Sequence, residues 1–198
     1  MQRAGFVLVG GRSSRMGRDK ALLSYRGRTL TEHVAEVVKE ATGSVTLIGE
    51  PARYQHLGYK VIPDIVPGCG PLGGIRTALE YTEAEWNLIT ACDMPGLRPG
   101  FLCHLLDTAE AEGADCLMPE SPSGRREPLC AVYRRTCLEA VERALREGHR
   151  RTSEALEGSR VVRLHIGEAA WFENLNTPED WSAHLKGSRQ AFSSTAHD

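Results

Sequence analysis

A chain of 198 residues, 41% hydrophobic and 25% charged, has the length and composition of a single domain around one core. Its formal net charge of −2 excludes a whole-molecule field that would gather nucleic acid or a membrane surface, so an anionic ligand must be met by a local cluster of cations. The six cysteines (Cys69, Cys92, Cys103, Cys116, Cys130 and Cys137) form no CxxC pair and the seven histidines no HExxH spacing, which argues against a disulfide framework or a zinc site. The opening apolar run ends at Gly10, too short for a secretory leader, and no segment approaches the roughly 20 apolar residues that span a bilayer. The expectation is a cytoplasmic protein with neither nucleic acid nor membrane as partner.

Strand-like and helix-like segments alternate along the chain. Phe6 to Val9 is continuously apolar, the pattern of a strand buried on both faces. Leu30 to Ala41 carries apolar residues at helical spacing; Thr29 and Glu32 form a capping box before it and Gly43 follows it. Val45–Ile48 and Lys60–Ile62 are strands. After the Gly/Pro-rich stretch Pro67–Gly74, a helix is expected from near Gly73 to Tyr81, then a strand over Asn87–Cys92 ending in Asp93. Leu102, Leu105, Leu106 and Ala109 mark a helix closed by Gly113. Cys116–Met118 and Leu129–Tyr133 are strands, Thr136 and Glu139 cap another helix, and Val161–Ile166 is a late strand. Thr177-Pro178-Glu179-Asp180 has the chemistry of a helix start. The expected organisation is one domain over residues 1–186 and a disordered C-terminal tail over 187–198.

This alternation predicts an α/β fold, a three-layer α/β/α arrangement around a mostly parallel sheet. Ligands of such sheets bind outside the carboxyl ends of the strands, where Gly10, Asp64 and Asp93 fall. Residues 10–20 read Gly-Gly-Arg-Ser-Ser-Arg-Met-Gly-Arg-Asp-Lys. Gly10 and Gly11 allow close backbone approach, and Arg12, Arg15, Arg18 and Lys20 put four cations within nine residues, a composition suited to a triphosphate. The loop is neither a P-loop, since Arg18 follows Gly17, nor a dinucleotide fingerprint, since Gly10-Gly11 breaks the spacing. From the residues alone Asp93 is either a magnesium ligand or a turn-capping acid before Met94-Pro95; the upstream glycine loop favours the metal. Asp64 is a nucleotide contact or a turn acid, and Arg146, Arg150 and Arg151 are cations either complementing a helix end or binding an acceptor phosphate.

Leu8-Val9-Gly10-Gly11, Arg15-Met16-Gly17 and Asp19-Lys20 resemble the signature of the molybdenum cofactor guanylyltransferases, the MobA family of Rossmann-like nucleotidyltransferases. The resemblance continues through Gly70–Ile75, Cys92-Asp93-Met94-Pro95, Arg126-Glu127-Pro128-Leu129 and Asn174–Pro178, covering about Phe6 to Trp181. Val9 stands where the family usually has Ala, and Ile48-Gly49-Glu50 departs from its Asn. The resemblance implies nucleotide binding by Leu8, Val9, Gly10, Gly11, Arg12, Lys20, Asp64, Gly73 and Asp93, catalysis by Lys20, Arg15 and Asp93, and Mg²⁺ on Asp93. The implied reaction moves GMP from GTP to the terminal phosphate of molybdopterin, with or without molybdenum, and releases pyrophosphate. Other cofactor-biosynthesis proteins or chaperones of target molybdoenzymes would be further partners. Alternatives are a CTP-dependent molybdopterin cytidylyltransferase, another small-molecule nucleotidyltransferase, or a non-catalytic nucleotide-binding delivery protein.

Overall fold

The opening apolar run forms β1 (Arg3–Leu8), and it lies at the centre of the sheet. The computed structural model describes residues 2–10, 19–121 and 123–167. Gly11, Arg12, Arg15, the Asn174–Pro178 segment and the tail over 187–198 therefore lie outside the described residues.

A single 3₁₀ turn over Lys20–Leu22 precedes a small hairpin, β2 (Ser24–Tyr25) and β3 (Arg28–Thr29). Its two-residue loop puts Arg26 at φ 50° and Gly27 at φ 83°, the left-handed pair that a tight hairpin of this kind requires. Next, α1 (Leu30–Thr42) starts at the expected capping box: the Glu32 amide donates to Thr29 Oγ1 at 3.2 Å, and Glu32 Oε2 accepts from the Thr29 amide at 2.7 Å. It ends at Gly43 in the left-handed region. β4 (Val45–Ile48), the short α2 (Pro51–Tyr54) and β5 (Lys60–Ile62) complete one side. α3 (Pro71–Tyr81) then crosses to the other side of β1, where β6 (Trp86–Ala91), α4 (Pro99–Glu112), β7 (Cys116–Glu120) and β8 (Cys130–Arg134) follow. α5 (Cys137–Arg146), α6 (Thr152–Ala155) and β9 (Val161–His165) close the described chain.

The strand order is β5-β4-β1-β6-β8-β7-β9. β1, β4, β5 and β6 are mutually parallel, β8 runs against β6 and β7, and β7 and β9 are parallel. Two apolar layers flank the sheet. Val34, Val38, Leu102, Leu105 and Leu106 from α1 and α4 cover one face; Leu72, Ile75, Leu79 and Val141 from α3 and α5 cover the other. Both faces being covered explains why the Phe6–Val9 run at β1 reads as unbroken apolar rather than alternating, and why even Asn87 and Thr90 of β6 are buried. No helix among the described residues is long and apolar enough to cross a membrane.

The expected cap of α5 is a correction. Thr136 is already helical (φ −58°, ψ −20°) and makes no capping bond; its hydroxyl instead faces Asp115 Oδ1 at 3.4 Å. The cause is the path into the helix. The Arg135 amide is held by Glu85 O at 2.8 Å and the Leu138 amide by Arg135 O at 3.1 Å, so the turn begins a residue early.

Candidate functional site

The register of the parallel strands brings four strand ends to one edge. Leu8 pairs with both Ile48 and Ala91, and Ile48 with Ile62. The residues that follow each strand (Gly10, Gly49, Asp64 and Asp93) therefore emerge side by side, and together with Lys20 they border one open cleft of about 1530 Å³, with Gly49 among its lining residues. Beyond the strand ends the ladder continues by single bonds, from the Val9 amide to Ile48 O and from the Gly49 amide to Ile62 O, each 2.9 Å.

The centre of the cleft is an ion pair. Lys20 Nζ donates to Asp93 Oδ2 at 2.8 Å, with side-chain exposures of 15% and 18%. Two loops far apart in sequence are thus joined at the sheet's rim. Asp93 is fixed because Cys92 and Met94 on either side of it are buried, and the Cys92 amide still bonds Leu8 O at 3.3 Å. Burial pushes the Cys92 thiol up to about 12, so it remains a neutral packing group. One residue further on, Pro95 O accepts from His33 Nε2 at 3.1 Å, tying the Asp93 turn to α1.

Lys20 is placed by the 3₁₀ turn it opens. Asp19 caps that turn: its Oδ1 accepts from the Ala21 amide at 3.1 Å, and its Oδ2 from the Tyr54 hydroxyl at 2.8 Å. Tyr54 is buried at the end of α2. Its ring lies under the two strand-end glycines: a Cβ on Gly10 would stand 3.5 Å from the Tyr54 hydroxyl, and one on Gly49 3.2 Å from the ring. Gly10 adopts φ 101°, which glycine tolerates and other residues rarely adopt.

Asp64 borders the same cleft, and its side chain curls back to accept from the Val66 amide at 2.9 Å, with the Thr77 hydroxyl 3.0 Å away. It builds its own turn, as a turn acid does, and that turn borders the cleft. Gly73 stands directly behind, where a Cβ would meet Val66 O at 2.6 Å; the neighbouring Gly74 lines the cleft. The far wall is Arg125, Arg126, Glu127, Pro128 and Leu129. Glu127 is buried and pairs with Arg125 Nε at 2.8 Å. Burial, opposed by Arg125 and reinforced by the charge of Asp93, raises its titration. Away from the cleft centre, Arg150 reaches Cys69 of the Pro67–Gly70 loop, and Arg151 lies 3.8 Å from Glu154.

Of the sequence candidates, Leu8, Val9, Gly10, Lys20, Asp64 and Asp93 are brought to one cleft, with Gly73 one layer behind it. The side chain of Val9 is buried against Gly49, which is why a bulkier residue than alanine fits there. Sequence reasoning missed Tyr54 and the part played by Asp19. The only advance signal was Pro51, a residue suited to open the short helix that ends at Tyr54.

An edge with these strand ends and this pair is the ligand edge of an open α/β sheet, and its architecture is that of the Rossmann-like nucleotidyltransferases. Residues 5–161 match the MobA-like NTP transferase domain, and the chain belongs to that family. It is 36% identical over 189 residues to a Bacillus cereus protein named "Probable molybdenum cofactor guanylyltransferase", covering 90% of this chain and 93% of that one. A Nostoc protein of the same name is 36% identical over 180 residues, 88% of this chain and 86% of its own. Among solved structures, molybdopterin-guanine dinucleotide biosynthesis protein A from Archaeoglobus fulgidus superposes with a TM-score of 0.81 at 28% identity, covering 94% of this chain and 99% of that one.

Proposed function

We propose that the protein transfers GMP from GTP to the terminal phosphate of molybdopterin, forming the guanine dinucleotide and releasing pyrophosphate. The observation that carries this reading is the Lys20–Asp93 pair lining the cleft, where the segment after β1 meets the end of β6. Its class, nucleotidyl transfer, is that of the family to which the chain belongs.

In this reading a phosphate oxygen of the acceptor attacks the α-phosphorus of GTP, and the bond from that phosphorus to the bridging α–β oxygen breaks. A phosphate monoester carries about −1.5 to −2 charges at neutral pH, so the nucleophile requires no base to remove a proton. The barrier is then anion–anion repulsion and charge on the leaving pyrophosphate, which positioning and fixed cations lower. Lys20 leaves Asp93 for the triphosphate as it binds. Asp93 is the residue that would hold Mg²⁺, which takes one or two carboxylates and completes its shell with phosphates and water. The donor chemistry fits: the Asp93 carboxylate borders the cleft and offers the oxygen ligand that Mg²⁺ takes. When bound, Mg²⁺ neutralises phosphate charge.

The test is pyrophosphate release by the purified protein with Mg²⁺ and molybdopterin, GTP against CTP. Turnover with GTP at least about tenfold above CTP is expected, a difference of roughly 1.4 kcal/mol in the transition state. Preference for CTP would make the protein a cytidylyltransferase. Binding of GTP without pyrophosphate release, with any pterin acceptor, would revive the delivery-protein reading.

A further inference from the structure

We propose that Tyr54 is a positioning residue for Lys20, acting through the carboxylate of Asp19; the inference rests on the assignment of Lys20 to the triphosphate given above. Lys20 hangs from a turn of only three residues, Lys20–Leu22. So short a turn has little internal hydrogen bonding, and its orientation depends on what grips its ends. One grip is Thr31 of α1, whose hydroxyl donates to Ala21 O at 2.8 Å. At the far end the Leu30 amide donates to Leu23 O at 2.9 Å, and at the near end stands Asp19, whose Oδ1 holds the Ala21 amide while its Oδ2 is held by Tyr54 at 2.8 Å.

Asp19 has a second neighbour, Arg53 Nε at 3.3 Å from Oδ2, but that guanidinium is 52% exposed, and exposed ion pairs fix little. Tyr54 differs in kind. Its ring is buried beneath Gly10 and Gly49, so its hydroxyl has one place to point. Burial, and then the bond to Asp19, raises the phenol's titration, so the group stays a donor at neutral pH. The same ring therefore supports the strand-end glycines that border the cleft and aims the acid that aims Lys20. Without the hydroxyl, the partly buried Oδ2 of Asp19 keeps, among the described residues, the weak Arg53 contact, and the N-terminal end of the turn loses its firmest hold. A displacement of about 1 Å at a reacting centre costs up to about a hundredfold in rate.

The test uses the full chain and two variants, Tyr54→Phe and Asp19→Asn. Phenylalanine retains the ring, so a merely structural Tyr54 predicts no change in turnover. The proposal predicts a kcat about tenfold lower in Tyr54→Phe, with KM for GTP within about threefold and the melting temperature within about 4 °C. In a Lys20→Ala background Tyr54→Phe should change kcat by less than about twofold, because the residue through which it acts is gone. A second readout requires no turnover, so it stands even if GTP is not the substrate. Competitive acylation of the ligand-free protein, read by mass spectrometry against Lys39 (53% exposed), should label Lys20 at least about threefold faster in Tyr54→Phe than in the unaltered chain. If Tyr54→Phe unfolds, Asp19→Asn must give the same two signatures. Unchanged kcat together with unchanged Lys20 labelling, or an equal loss of kcat with and without Lys20, would overturn the proposal.

Discussion

Where β5, β4, β1 and β6 end, the cleft combines closely approached glycines with the Lys20–Asp93 ion pair, whereas where β8 and β7 end its wall is a segment bearing Arg125, Arg126 and Glu127. A Cβ would collide with Val9 O at Gly49 (2.6 Å), with Val66 O at Gly73 (2.6 Å) and with Leu8 at Gly74 (2.9 Å). Gly68 and Gly70 on the same side have nothing within 4 Å, so the crowding around the cleft is confined to Gly49, Gly73 and Gly74; on the other side the cleft is lined by Arg125, Arg126 and Glu127. The difference bears on how labour would be divided in the reaction proposed above. Backbone brought close suits a ligand read by main-chain groups at fixed positions, as a nucleotide is; flexible cations suit a second anion that must approach and leave.

Breaking the Lys20–Asp93 pair of the first half should have the largest effect. Lys20→Ala and Asp93→Asn should each lower kcat/KM by about 10²–10³-fold, the scale of losing one charge-stabilising group, with melting temperatures shifted by only a few degrees because both side chains sit on loops. Kinetics and calorimetry on the same preparations check this. Retained activity in Asp93→Asn would return Asp93 to a turn-capping role.

The contrast between crowded and open glycines should appear next, as stability. Gly73→Ala puts a methyl against the Val66 carbonyl and should cost about 2 kcal/mol, or roughly 4–8 °C for a chain of this size, along with weaker GTP binding. Gly100→Ala is the control: it lies in α4 with nothing within 4 Å, and alanine there should be neutral or stabilising by up to about 1 kcal/mol. On the charged side, Arg126→Ala should raise the acceptor's KM by about fivefold while leaving KM for GTP unchanged. A loss of GTP affinity instead would erase the division between the halves.

The crowded half was far more legible than the charged one, for a physical reason. Gly10, Asp64 and Asp93 follow apolar runs directly, and in a parallel sheet the end of a strand already specifies the ligand edge. The capping box at Thr29 and Glu32 is local, so sequence was sufficient. Tyr54 was illegible because its bond to Asp19 spans 35 residues, and α2 is too short to show a helical period. The hairpin at Arg26-Gly27 was hidden because a non-glycine residue occupies a left-handed position. Glu127 could be recognised as part of a motif, yet its burial depends on the antiparallel β7–β8 pairing, which no strand pattern specifies.

Glu127 gives the smallest and most specific effect. Its titration is raised first by burial, with Asp93 adding and Arg125 opposing. An acid whose folded value lies above its unfolded value binds a proton more readily when folded. Its contribution to stability is therefore complete below the unfolded value and is lost as pH rises through the folded one. Glu127→Gln removes that titration while retaining the shape. The melting temperature of the unaltered protein, measured against Glu127→Gln, should accordingly fall as pH rises above the ordinary glutamate range. Arg125→Ala should steepen this fall, since it strips away the one partner that favours the charged form. A difference independent of pH would mean that Glu127 is solvated as freely as the exposed cations beside it, and the charged wall would then lack the buried anchor that distinguishes it from an ordinary surface loop.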